Sequence, residues 1–244
     1  MQAPGEQPPP RTRRGGAQRI PRPADWQHGD PTPWARAGGV APYLSIAEVR
    51  RRLVDLPPAR VVPELPSDFP IERRASAVLV PLFDEGGDAR LILTKRPETM
   101  PTHQGEIAFP GGKLEPTVDS DLRATALREA QEEIGLEPAD VEIIAELDGI
   151  GTVGSRFVIA PFVGVLAARP QLRPDTREVV RVFDVALSEL LAPEVHHAER
   201  WQTPNAVIEV HFFDLAEETV WGATARILYG FLSYLVADRE PGAA

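Results

Sequence analysis

Apolar residues recur with two periods along this 244-residue chain. In "SIAEVRRRLVDL" (45–56), Ile46, Val49 and Leu53 fall three and four apart. That spacing predicts a helix, with Ser45 as N-cap and Glu48 three residues later as its capping-box partner. "ASAVLVPLF" (75–83) and "ARLILTKR" (89–96) are short apolar runs separated by the turn "DEGGD", and read as buried strands. Further strands are expected in "VEIIAEL" (141–147), "RFVIAPFVGVLA" (156–167), "VVRVFDVAL" (179–187) and "AVIEVHFFDL" (206–215). "TARILYGFLSYLVA" (224–237) reads as an amphipathic closing helix. There is no internal repeat. Strands mixed with a few helices, without regular βαβ alternation, predict an α/β fold with a mixed sheet between helical layers.

The first 42 residues break this pattern. They hold nine prolines, few aliphatics, and six arginines against Glu6, Asp25 and Asp30. Such a segment cannot bury enough apolar surface to offset its ordering entropy. It is expected as a tail (1–42), disordered or extended on the domain that follows (43–240), with Trp26 and Trp34 able to dock it. Its arginines are read as solvated rather than as a nucleic-acid contact. The tail's net charge of +3 leaves −13 on the remainder, against −10 for the whole chain. An acidic body is a poor polyanion binder, so a phosphate-rich ligand would need divalent cations to screen the charge. The absence of cysteine excludes disulfides, thiolate metal sites and thiol nucleophiles, and fits a reducing compartment. No apolar run has the length of a signal peptide or of the roughly 20 residues that span a bilayer, so a cytoplasmic protein without membrane partners is expected.

The densest chemistry lies in "FPGGKLEPTVDSDLRATALREAQEEIGL" (109–136). Asp119 or Asp121 can cap a helix through "LRATALREAQEEIG", and Gly135 is suited to end it. Leu122, Ala126 and Ala130 then share one face, flanked by Thr125 and Leu127. Glu129, Glu132 and Glu133 cluster at i, i+3 and i+4 on another face, with Arg128 four residues before Glu132. Glu-rich faces are commonly just solvated. Here "PGG" (110–112) precedes the helix, and glycine lets backbone approach a metal or phosphate closely. Three hard oxygen donors so placed suit Mg²⁺ or Mn²⁺.

These residues resemble the Nudix box (about 112–136), whose pattern is Gly, five residues, Glu, seven residues, then Arg-Glu-aliphatic-any-Glu-Glu-any-Gly-aliphatic. Arg128, Glu129, Ala130, Glu132, Glu133, Gly135 and Leu136 match its second half. In the first half, Gly112 lies two residues too far from Arg128 and Ser120 stands at the glutamate position, leaving Glu115, Asp119 or Asp121 to supply that carboxylate. The resemblance covers roughly residues 70–237. It implies an α/β/α sandwich that hydrolyses a diphosphate linked to another moiety, with water attacking phosphorus and divalent ions assisting. It also implies Glu129, Glu132 and Glu133 as metal ligands, the Gly112 carbonyl as a further one, and Arg128 as the residue that holds a glutamate in place. The general base is a box glutamate or a later carboxylate, for which Glu178 is the candidate. Family members often dimerise.

"ILTKRPETMPTHQGEIAFPGG" (92–112) resembles the segment that marks coenzyme A diphosphatases within that family. Leu93, Thr94, Arg96, Gly105, Phe109, Pro110, Gly111 and Gly112 are in register, while Pro97 replaces a small residue and Pro101 replaces an arginine. "ETVWGATARIL" (218–228) resembles the same subfamily's closing segment. The implied substrate contacts are Thr94, Arg96, Gly105, Gly111, Gly112 and Lys113. Arg96, Lys95, His103 or Lys113 would compensate for the lost cation. The implied reaction yields phosphopantetheine, or its acyl form, and adenosine 3′,5′-bisphosphate. The alternatives are hydrolysis of ADP-ribose or a dinucleotide such as NADH, and a nucleotide-binding regulator that cleaves nothing. "HHAE" (196–199) is read as a solvated loop, and Trp201, Phe212 and Trp221 as core. No Ser-His-Asp arrangement or Gly-Lys-Ser/Thr phosphate loop is identifiable.

Overall fold

The structure, a computed structural model, describes residues 14–18, 20–36, 43–63, 74–100, 103–151, 157–204 and 206–237. In chain order the elements are β1 (Gln27–His28), α1 (Pro33–Arg36), α2 (Ile46–Leu53), β2 (Val61–Pro63), β3 (Arg74–Glu85), β4 (Asp88–Lys95), β5 (Ile107–Ala108), β6 (Gly111–Lys113) and α3 (Leu122–Ile134). They continue through β7 (Val141–Glu146), β8 (Gly149–Gly151), β9 (Phe157–Leu166), β10 (Arg181–Ala186), α4 (Leu187–Leu190), β11 (His196–Gln202), β12 (Val207–Asp214), β13 (Thr219–Trp221) and α5 (Gly222–Val236).

β3 organises the larger sheet, in the order β10-β4-β3-β9-β8-β2. It runs parallel to β9 and antiparallel to β4 and β6, so the sheet is mixed. Successive β3 side chains point to opposite faces. Ala77, Leu79 and Phe83 join Ala126, Ala130 and Ile134 of α3 in one core. Val80 and Leu82 face the other way, into a core shared with Val49 and Leu53 of α2 and Ile227, Phe231 and Leu235 of α5. The sheet therefore lies between α3 and the α2/α5 layer, the α/β/α sandwich expected. Both its faces are covered, which is why β3 and β4 read as continuous apolar runs rather than alternating ones.

Ser45 caps α2 by accepting a hydrogen bond from the Glu48 N–H at 3.3 Å. The reciprocal half of the capping box is not made. Glu48 instead accepts from Arg51 at 2.7 and 2.9 Å and from Arg52, and these arginines pull its carboxyl down to about 2. Among the described residues, no helix is long and apolar enough to cross a membrane.

The second sheet, β1-β11-β12-β13, corrects the reading of "HHAE" as a solvated loop. These residues open β11, which pairs with apolar β12, and His196, Ala198 and Glu199 are all buried. The segment is too polar for its own periodicity to announce a strand; the partner strand imposes one. Residues 14–18 and 20–36 lie along this sheet. β1 pairs with β11, and Trp34, only 4% exposed, sits between His196, Phe213 and Tyr229. Residues 1–13, 19 and 37–42 of the expected tail lie outside the described residues.

His196 Nε2 and His211 Nδ1 are 3.2 Å apart in this core, and His211 stacks on Tyr229 with ring centroids 3.8 Å apart. Burial, with His211 and His197 adding, pushes His196 down to about 3; burial and Arg226 push His211 down to about 4. The unfolded chain takes up these protons near pH 6.5, whereas the folded chain resists until pH 4 or below, so stability falls as pH falls through that window. The histidine pair's contribution to the unfolding free energy should drop between pH 6.5 and pH 4, at up to about 2.7 kcal/mol per pH unit for two protons. Glu133, whose carboxyl is raised by burial, opposes this with one proton, so the contribution is read by difference. Denaturant titrations should show the wild-type slope exceeding that of His211→Phe by about 1.4 kcal/mol per pH unit.

Candidate active site

The glutamate helix begins at Asp121, whose side chain accepts from the Ala124 N–H at 2.8 Å. It ends at Gly135 in the left-handed conformation (φ 70°), with the Gly135 N–H donating to the last carbonyls. One face packs on β3, leaving Glu129 and Glu133 against β6. Gly111 and Gly112 make that approach possible. A Cβ on Gly111 would lie 2.4 Å from the Ala77 carbonyl oxygen, and one on Gly112 would lie 2.4 Å from the Glu129 carboxyl carbon. With no side chains there, the Gly111 N–H donates to Glu133 at 3.2 Å and Glu129 lies over Gly112.

Arg128 holds the loop before the helix to the helix itself. Its Nε and Nη2 donate to the two oxygens of Asp119 at 2.8 and 3.0 Å, a bidentate fork. Its other contacts are Glu132 at 2.9 Å, Glu129 at 3.0 Å and the Lys113 carbonyl at 3.2 Å. Asp119 also accepts from the Glu115 N–H and the Thr125 hydroxyl, both at 2.9 Å. Arg128, then these donors, hold its carboxyl down at about 2. Of the three candidates for the displaced carboxylate, Asp119 is thus the one bound to Arg128, while Asp121 caps the helix.

Glu133 is in the opposite condition. It is 4% exposed, and its nearest cation is Arg96, with Nη1 3.8 Å away. Burial pushes its carboxyl up to about 8; Gly111 and Arg96 oppose the shift, and Glu129 and Glu178 reinforce it. Burial also raises Glu129, partly offset by Arg128 and reinforced by Glu132 and Glu178. Glu132 is exposed and turned toward Arg128. Among the described residues, no three acidic or histidine side chains are drawn together closely enough to hold a metal ion as they stand. The donor set nevertheless fits one. Glu133 is buried without a close cation partner, beside Glu129, and hard divalent cations take such oxygens.

Glu178 reaches this cluster from a loop fastened to the end of α3. The Arg173 N–H donates to the Ile134 carbonyl at 2.8 Å and the Asp175 N–H to the Glu133 carbonyl at 2.9 Å. The Glu178 and Val179 N–H groups both close on the Asp175 carbonyl, and Val179 is buried. Glu178 itself stays exposed, and its charge acts on both Glu129 and Glu133.

The residues expected to touch substrate separate into different settings. Thr94 is buried, with its hydroxyl donated to the Ala108 carbonyl at 3.1 Å. Gly105 makes a left-handed turn (φ 63°) whose N–H donates to the Pro97 carbonyl. Pro101 lies outside the described residues. Of the four basic residues proposed to compensate for it, Lys95 is bound by Glu218 and His103 by Glu106. The Lys113 ammonium lies 5.6 Å from the centre of the Phe157 ring. Arg96 is the one against the glutamate cluster, and its Nε has no hydrogen-bond partner. Asp119 was one of three alternatives in the sequence, and Glu218 had no assigned role there; both depend on contacts that spacing alone does not display.

Against known families, residues 73–220 match the NUDIX domain. A chloroplastic Nudix hydrolase of Arabidopsis thaliana is 41% identical over 64% of this chain and 53% of its own length, so the chain spans about half of that relative. An uncharacterised Nudix hydrolase of Photorhabdus laumondii is 33% identical over 74% of this chain and 92% of its own. A peroxisomal coenzyme A diphosphatase of Mus musculus is 39% identical over 68% of this chain and 71% of its own.

Two substitutions test the geometry. Asp119→Ala removes the bidentate partner of Arg128, which keeps Glu129 and Glu132, and should cost about 2 kcal/mol of stability by denaturant titration. Gly112→Ala should leave the fold intact by circular dichroism yet displace Glu129, lowering turnover by roughly a hundredfold.

Proposed function

The chain belongs to the NUDIX family, and from that premise we propose that it is a Mg²⁺- or Mn²⁺-dependent hydrolase of the diphosphate in coenzyme A or acyl-coenzyme A. Water would add to one phosphorus, the bridging P–O bond would break, and the products would be (acyl)phosphopantetheine and adenosine 3′,5′-bisphosphate. The observation that carries the hydrolytic reading is the buried Glu133, set beside Glu129 on the Gly111–Gly112 backbone without a close cation partner.

Glu129, Glu132, Glu133 and the Gly112 carbonyl are the groups that would hold the metal. Bound there, a divalent ion supplies charge neutralisation for the diphosphate oxygens and acidifies water. Arg128 fixes Glu129 and Glu132 and ties them to Asp119, so the helix carries its ligands in a set orientation. Glu178, exposed on its fastened loop, is the group that would take the proton from the attacking water. Arg96, partly exposed with its Nη1 3.8 Å from Glu133, would bind a phosphate oxygen.

The coenzyme A assignment draws on the register of residues 92–112 and on the similarity to the mouse coenzyme A diphosphatase. One observation favours a second reading: Lys95 and His103 are already ion-paired, leaving fewer cations for a 3′-phosphate. Hydrolysis of ADP-ribose or NADH would need none.

Purified protein should therefore be assayed on coenzyme A, 3′-dephospho-coenzyme A, ADP-ribose and NADH in Mg²⁺ and in Mn²⁺. Coenzyme A is expected to be cleaved in preference to its dephospho form. Activity in Glu133→Gln should fall by about a hundredfold or more, the scale of removing one preorganised electrostatic group. Turnover confined to ADP-ribose or NADH would move the chain to the second substrate class.

A further inference from the structure

Residues 14–36 lie outside the span that matches the NUDIX domain, yet one of them reaches the base of the loop that carries Arg96. The Gln18 side-chain amide pairs with Thr219 as a strand would: its Nε2–H donates to the Thr219 carbonyl at 3.2 Å, and its Oε1 accepts from the Thr219 N–H at 3.2 Å. The same Nε2 donates to Glu218 Oε2 at 3.0 Å. Neighbouring backbone seats the segment, with the Gly15 N–H on the Leu215 carbonyl at 2.8 Å and the Gly16 N–H on the Thr219 hydroxyl at 3.0 Å.

Glu218 is 3% exposed and joins three elements. Its oxygens accept from Lys95 Nζ at 2.9 and 3.0 Å and from Arg181 at 3.3 Å, in addition to Gln18. Lys95 ends β4, paired with Arg181 of β10 on one side and Ile107 of β5 on the other. The chain leaves the sheet at Arg96 and re-enters at Ile107, and the Arg96 N–H closes this loop on the Glu106 carbonyl at 3.0 Å. β5 then leads directly into the glycine pair of the site.

We infer that Gln18 is a positioning residue for substrate binding: it fixes the Glu218 carboxylate, which holds Lys95 and so the base of the loop from which Arg96 reaches the diphosphate. This rests on the hydrolytic reading above. A buried carboxylate between two cations can turn toward either one, and a third donor of fixed direction selects a single orientation. The amino-terminal segment is thereby a part of the binding wall rather than an appendage.

The test uses full-length Gln18→Ala, with Arg14→Ala as a control on the same segment but bound to Glu194 and Glu189 instead of Glu218. Steady-state kinetics on whichever diphosphate the wild type cleaves should show KM raised about fivefold in Gln18→Ala with kcat within about twofold, the signature of lost binding rather than lost enzyme. Hydrogen exchange should quicken at the Arg96, Gly105 and Glu106 amides while α3 stays protected. Arg14→Ala should match the wild type in both. An unchanged KM, a fall in kcat with exchange quickened throughout the molecule, or the same KM rise in Arg14→Ala would each overturn the inference. If the wild type cleaves none of the diphosphates, the substrate reading fails, and exchange alone decides this one: local quickening sustains it, and unchanged protection refutes it.

Discussion

The site depends on how one arginine is shared. Arg128 lies between Asp119, Glu129 and Glu132, and it draws the loop after β6 down onto α3. Asp119 is bound by both prongs of the guanidinium, so it stays ionised and the helix keeps its register with the glycine pair. The arginine's contacts are with Asp119, Glu129, Glu132 and the Lys113 carbonyl, not with Glu133. One carboxylate of the cluster is left buried with only a backbone N–H and a distant Arg96. Such a group is costly in the folded state unless it is protonated or meets a cation. The structure thus stores an electrostatic deficit at the point where a metal would relieve it.

The sheet core was legible because its segments declare themselves locally. The apolar runs at 75–83 and 89–96, and the turn between them, correspond to β3 and β4 nearly residue for residue. The α2 and α5 helices follow from their apolar spacing in the same way. β11 was illegible for the converse reason. His196 and Glu199 are polar residues buried by partners on other segments: His211 of β12 for one, Arg22 of the amino-terminal segment for the other. The Pro- and Arg-rich segment marks Trp26 and Trp34 alike as able to dock, and nothing local says that Trp34 is the one that fills a core position.

The candidate site divides along the same line. The i, i+3, i+4 glutamates and the glycine pair are local patterns; the structure sets Glu129 and Glu133 against the glycines and leaves Glu132 exposed on Arg128. Which carboxylate takes the place of the first box glutamate was open among Glu115, Asp119 and Asp121, because the loop is longer than the family pattern; that Asp119 meets Arg128 follows only from the loop's folded path. Glu178 could be named but not located, since its approach depends on backbone hydrogen bonds from Arg173 and Asp175 to the end of α3. The Gln18–Glu218–Lys95 chain joins three positions remote in sequence and has no signature in any one of them.

A divalent ion beside Glu133 would relieve a carboxylate buried without a close cation partner. Calorimetric titration of Mn²⁺ into the wild type and Glu133→Gln at neutral pH should show saturable binding by the wild type that is lost in the variant. Equal binding by both proteins, or none by either, would contradict it.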